Sequence, residues 1–198
     1  MTWTFDPFDY STPPVPAFFS DYTPVDPPFD PASSFWPGGV YGIAANPQLG
    51  HSLWSAIEDV TGDGNMVVFN GSPVQDALVW GADISGAAGS EYTFSFWYAN
   101  VFPASPAVLA LSIKDSNNHE VQLPGLFSLA DLAQWHRFSV TFEAPAVQFA
   151  ILLRNENNIL AGNDFALDDF QFASVPEPAS FAITGAALLA LGLMLRRK

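Results

Sequence analysis

Glu91-Tyr92-Thr93-Phe94-Ser95-Phe96-Trp97-Tyr98-Ala99 alternates without a break: Tyr92, Phe94, Phe96 and Tyr98 fall on one side of an extended chain, Thr93, Ser95 and Trp97 on the other. Successive side chains of a strand point to opposite faces, so this stretch reads as a strand with one face on a core. The same period of two recurs in Leu109, Leu111 and Ile113, in Phe138, Val140 and Phe142, and in Val147, Phe149, Ile151 and Leu153. Turn formers punctuate the runs: Gly62-Asp63-Gly64, Asn70-Gly71, Gly86 to Gly89, Asn117-Asn118 and Asn155 to Asn158. Helical periodicity is missing between them, apart from a short turn expected near Leu129 to Ala133. Short strands spaced by turns predict an all-β antiparallel sandwich over residues 39–173.

Composition narrows the function. Charged residues make up 13% of the 198, and the net charge is −14, with 20 carboxylates against six Lys and Arg. Three of the six cations are the last three residues, so the rest of the chain holds only Lys114, Arg137 and Arg154. No basic face for a phosphate backbone can be assembled from these, and nucleic acid is excluded as a partner. Cysteine is absent, which removes disulfides, thiolate metal sites and thiol nucleophiles. His51, His119 and His136 show no metal-ligand spacing, and there is no nucleophile elbow, phosphate loop or dinucleotide fingerprint. Adjacent Asp168 and Asp169 face opposite sides of a strand and cannot form one acid–base dyad. The expectation is a protein that is not an enzyme.

Both ends differ from the middle. Residues 1–37 contain nine of the 17 prolines, no Lys or Arg, and many aromatics, among them Phe18, Phe19, Phe29, Phe35 and Trp36. This predicts an irregular arm, residues 1–38, with parts packed on the domain. The arm has neither a basic leader nor a continuous apolar run, so it is no signal peptide. At the other end Val175-Pro176-Glu177-Pro178 makes a stiff break before an apolar run from Phe181 to Leu195, closed by Arg196, Arg197 and Lys198. With Ala179 and Ser180 the run counts 17 residues, about 25 Å at ~1.5 Å per residue, which predicts a single transmembrane helix within residues 174–198.

This tail resembles the PEP-CTERM sorting signal of Gram-negative bacteria, which has the same three parts in the same order. The resemblance implies Val175, Pro176, Glu177 and Pro178 as the recognition motif of an exosortase, the processing enzyme and expected partner. It implies Arg196, Arg197 and Lys198 as the basic retention cluster, and membrane insertion through residues 181–195. The expected itinerary is the inner membrane in transit, then the cell surface or extracellular matrix. Because positive flanks stay cytoplasmic, the domain must be carried across, so a signal peptide and a first strand are expected upstream of Met1. Gly62 to Val68, Glu91 to Trp97 and Gly162 to Asp169 also look like parts of a galactose-binding-like jelly roll, which implies that sandwich topology.

Two candidate sites follow. Asp168 shares parity with Phe170 and Phe172, expected on the core face, and an inward carboxylate needs a partner. Related jelly rolls hold a structural calcium ion at the matching aspartate, so Ca²⁺ is one reading, and capping by backbone amides is the other. The segment Asp59, Thr61, Asp63, Asn65 fails as a helix-loop-helix calcium loop, since its twelfth position is Asn70. Trp54, Trp80, Trp97 and Trp135 are candidate carbohydrate contacts, with core or rim packing as the alternative. The expected function is an exported, non-enzymatic surface or matrix protein with a binding and display domain. The alternative is a carbohydrate-binding module for exopolysaccharide.

Overall fold

The computed structural model describes residues 2–3, 18–60, 64–125 and 127–176. In chain order the strands are β1 (Thr2–Trp3), β2 (Thr23–Pro24), β3 (Val40–Ala44), β4 (Met66–Asn70), β5 (Ala77–Ser85), β6 (Glu91–Asn100), β7 (Val108–Asp115), β8 (Glu120–Gln122), β9 (Phe127–Ser128), β10 (His136–Glu143), β11 (Gln148–Asn155) and β12 (Phe165–Ser174). One short 3₁₀ turn, Pro47–Leu49, is the only helical element among the described residues. The larger sheet runs β10-β6-β12-β4-β3-β2, with β1 also paired to β12; the smaller runs β5-β11-β7-β8, with β9 paired to β7. Every pairing is antiparallel except β2 with β3.

The alternation seen in the sequence is the alternation of the core. Phe94 and Phe96 of β6, Leu109 and Leu111 of β7, Phe142 of β10, and Phe149, Ile151 and Leu153 of β11 meet between the sheets. Trp80 stacks on Phe170 there (ring centroids 4.6 Å apart, 10° between planes), and Phe170 stacks in turn on Phe96 (5.3 Å). Such contacts add about 0.5–1.5 kcal/mol each beyond the area they bury. Val147 departs from the pattern: it precedes β11 and is exposed.

A second apolar cluster lies on the outer side of the larger sheet. Phe35, Trp54 and Ile57 cover Val40, Ala44, Met66, Val68, Ala99 and Ala166. The proline-rich arm therefore holds specific places from Phe18 onward. Tyr22 is buried in the main core, and Phe35 and Phe29 pack in the outer cluster. At one end of the sandwich the Tyr22 hydroxyl accepts N–H from Ser72 (3.2 Å) and from the Asn155 amide (3.4 Å), which ties the arm to β11.

Among the described residues no helix is long and apolar enough to cross a membrane. The expected transmembrane run 181–195, Glu177, Pro178 and the basic cluster lie outside the described residues. Val175 continues the line of β12, its N–H donating to Glu91 O (2.9 Å), and Pro176 is exposed.

Candidate functional site

The outer face of the smaller sheet is built from the positions that alternate with the core. Ala110, Ser112 and Lys114 stand between Leu109, Leu111 and Ile113 on β7, and Ala150, Leu152 and Arg154 between Phe149, Ile151 and Leu153 on β11. Cross-strand register sets them in rows: Leu78, Arg154 and Ala110; then Gly81, Leu152, Ser112 and Gln122; then Asp83, Ala150, Lys114 and Glu120. The middle of each row is small or aliphatic, and Leu78, Ala150 and Leu152 form a buried apolar floor. Long polar side chains stand around it.

Two hollows follow one another along this face. The larger, about 480 Å³, is lined by Asp76, Ala110, Leu111, Ser112, Glu120, Gln122, Arg154 and Glu156. Its volume lies within the range of small-ligand sites. The smaller, about 280 Å³, is bounded by Asp83, Lys114, Asp115, Ser116, Gln148, Phe149 and Ala150. Phe19 borders the floor. Its backbone exchanges two 2.8 Å hydrogen bonds with Gly81, and a Cβ built at Gly81 would overlap the Phe19 ring. The ring thus lies on the outer face over Gly81, 41% exposed, while neighbouring Phe18 turns inward against Tyr41. Asp21 accepts from Leu78 N (2.9 Å) and Ser20 donates to Leu78 O (3.1 Å), so residues 18–21 fix the ring in place.

The polar groups of the larger hollow hold one another. Ser112 donates to Glu120 (2.5 Å), and Arg154 Nε reaches the same oxygen at 3.4 Å while its Nη1 donates to Asp76 O (3.3 Å). Burial raises the Glu120 pKa, but the Ser112 hydroxyl and the Arg154 guanidinium outweigh it and keep the group below the usual range. Asp76 is lowered by the Gln75 amide and by its hydrogen bond with Glu156, whereas Glu156 is raised, chiefly by that same bond to Asp76. Both carboxylates also accept from the Gln75 amide, Asp76 Oδ1 at 3.0 Å and Glu156 Oε2 at 3.4 Å.

The residues singled out from the sequence lie elsewhere. Trp54 (1% exposed) and Trp80 (0%) are corrected as carbohydrate contacts: Trp80 fills the space between the sheets, and Trp54 is enclosed between Phe35 and His51. Trp97 and Trp135 are half-buried; Trp97 stands on the outer face of β6, while Trp135 packs against the outer cluster and donates through Nε1 to Glu58 O (2.8 Å). Asp168 is buried (3% exposed) but not on the main core face. A bulge between Asp168 and Gln171, with Asp169 at φ +49°, shifts the register, so Leu167, Phe170 and Phe172 point into the core and Asp168 points outward beside Trp97. Its carboxylate accepts N–H from Asp169 (2.7 Å) and Val60 (3.3 Å). No group of three or more His, Cys, Asp or Glu side chains that could hold a metal occurs among the described residues.

The sequence matches no protein-family model and no curated protein. Its fold is similar to the CBM22-1 xylan-binding domain of Xyn10C from Paenibacillus barcinonensis, with a TM-score of 0.55 and 13% identity over 90% of this chain and 95% of that one. It is also similar to the CBM22-1–CBM22-2 tandem domain of the same protein, with a TM-score of 0.56 and 11% identity over 89% of this chain and 46% of that one. At these identities the likeness is one of fold: the chain is a two-sheet jelly-roll sandwich of the kind seen in carbohydrate-binding modules.

Proposed function

We propose that this protein is a non-enzymatic polysaccharide-binding domain displayed on the cell surface or in the extracellular matrix. The observation that supports this most is the face carrying Phe19, Leu152 and Arg154. It pairs an exposed aromatic ring and an apolar floor with hydroxyl, carboxamide, carboxylate and guanidinium groups. A sugar chain offers the matching surfaces, with C–H faces for the ring and hydroxyls for the polar walls. The xylan-binding activity of the similarly folded domain agrees with this reading.

The Asp76–Glu156 pair favours binding over hydrolysis. Glycosidases place their two carboxyls about 5 Å or more apart, on either side of the scissile bond. Asp76 and Glu156 both accept from the single nitrogen Gln75 Nε2 (3.0 and 3.4 Å), which sets them side by side on one wall and not on either side of a bound sugar. Delivery belongs to the same proposal: Val175, Pro176, Glu177 and Pro178 serve as the exosortase motif, residues 181–195 as the membrane segment, and Arg196, Arg197 and Lys198 as the cytoplasmic cap of a Gram-negative surface protein.

Affinity electrophoresis in gels containing soluble xylan, β-1,4-galactan or mixed-linkage β-glucan tests the binding claim. At least one of these polymers should retard the protein, and Phe19→Ala should reduce the retardation about tenfold or more in affinity. Equal mobility in all three gels would refute it.

A further inference from the structure

We infer that the outer face of the larger sheet is a second glycan-binding face, so that one copy of the protein bridges two strands of an uncharged polysaccharide. This rests on the polysaccharide reading above and adds a site to it. Residues 29–57 cover the outer side of β3, β4 and the start of β12, but their apolar cluster does not include the odd-numbered residues of β6 from Thr93 to Trp97. There the register gives three rows: Asp168, Trp97 and Arg137; Gln171, Ser95 and Ser139; Ala173, Thr93 and Thr141. Rows follow at about 7 Å, two residues along each strand.

Asp168 and Ser95 are buried (3% and 2% exposed), so the accessible members of the rows are Trp97 and Arg137, then Gln171 and Ser139, then Ala173, Thr93 and Thr141. Trp97 is half-buried and joins neither the main core nor the outer cluster among the described residues. Arg137, directly across from it, is exposed and donates through Nη2 to Ser95 Oγ (3.0 Å). Among the described residues it has no carboxylate within ion-pair distance, in a chain with 20 carboxylates. Asp168, across the sheet from Trp97, accepts from the amides of Val60 and Asp169. Thr93 and Thr141 share a hydrogen bond (3.1 Å), and Gln171 donates to Asp169 (3.0 Å). Hydroxyls both donate and accept, a guanidinium offers a planar fork of donors, and an indole offers a flat apolar surface. A protein partner would find little apolar area to bury beside Trp97. Asp168, Asp169, Glu91, Glu143 and the net charge of −14 disfavour an anionic chain, which selects an uncharged one.

The two faces look in opposite directions from a sandwich whose sheets pack about 10 Å apart, so each can hold a separate strand. The test uses the full chain and an oligosaccharide of whichever polymer retards it in the gels above. Titration calorimetry should give two sites for the wild type, and one site each for Trp97→Ala, for Arg137→Gln and for Phe19→Ala. Arg137→Gln alters an exposed side chain and guards against misfolding of the tryptophan variant. Wild-type protein should raise the viscosity of the long polymer, and each single-face variant should not. A single site in the wild type, abolished by Phe19→Ala, would overturn the second face and leave the polysaccharide reading standing. Absence of binding to every polymer would overturn both.

Discussion

Asp164 shows how much one residue coordinates at the end of the sandwich. It is 5% exposed, yet its Oδ2 accepts from Trp54 Nε1 (3.0 Å) and its Oδ1 from Gly71 N (3.2 Å). Trp54 stacks on His51 (4.7 Å) and His51 on Trp36 (4.5 Å), so the carboxyl anchors an aromatic pile that reaches the surface. Burial lifts its pKa to about 7 from 3.8, against the two hydrogen bonds that work to lower it. The sign follows from proton counting. Between about pH 4 and 7 the folded state holds a proton that the unfolded chain has released, so stability contributed here falls as pH rises, by up to about 1.4 kcal/mol per pH unit. Asp164→Asn cannot titrate, and its single carbonyl oxygen can serve only one of the two donors. It should lower stability by about 1–2 kcal/mol near neutrality and flatten the pH dependence between pH 4 and 7 relative to the wild type. Urea denaturation at several pH values measures both, and parallel pH profiles for the two proteins would show that Asp164 does not titrate in this window.

At the scale of elements, β12 explains both what the sequence discloses and what it hides. Runs such as Phe138, Val140, Phe142 and Phe149, Ile151, Leu153 read correctly because each strand has one face on the main core. The step from Asp168 to Phe170 does not, because period-two counting has no term for an inserted residue, and Asp169 in the left-handed region supplies one. Glycine accepts that conformation, and a β-branched side chain there is strained by roughly 1–3 kcal/mol. Asp169→Val should therefore be less stable than Asp169→Gly by about 2 kcal/mol in chemical denaturation; equal midpoints would mean that the strand does not keep the bulge. The tryptophans were illegible for another reason: residue type cannot distinguish Trp80, buried between two sheets, from Trp97, half-buried on an outer face. The hollows on the smaller sheet did leave a trace, in the small residues Ala110, Ser112 and Ala150 opposite large apolar ones. Phe19 left none, because it is the long-range pairing of residues 19–21 with Leu78 and Gly81 that brings the arm to that face.

For the whole molecule, the direction in which the chain leaves the sandwich matters for display. β12 begins at Phe165, paired with Asn100, and ends at Ser174, paired with Tyr92, so over its ten residues it spans about 30 Å. Asn155, next to Arg154 and Glu156, hydrogen-bonds Asn163 (2.7 Å) at the start of that strand. The larger hollow therefore lies toward the end opposite Val175, and a membrane tether following Pro176 would leave it facing outward. The buried apolar residues of the two main clusters run from Tyr22 to Phe172, and the last described backbone bond of the strand is Val175 N to Glu91 O. A chain ending at Pro176 should consequently keep the near-UV circular dichroism and melting temperature of the full chain, within a few degrees. It should also bind the same polysaccharide with unchanged affinity, since no described residue of either face lies beyond residue 174. In Triton X-114 partitioning the full chain should enter the detergent phase and the shortened one the aqueous phase. Loss of the near-UV signal on truncation would mean that the apolar run 181–195 belongs to the fold, and a full chain found in the aqueous phase would contradict the tether.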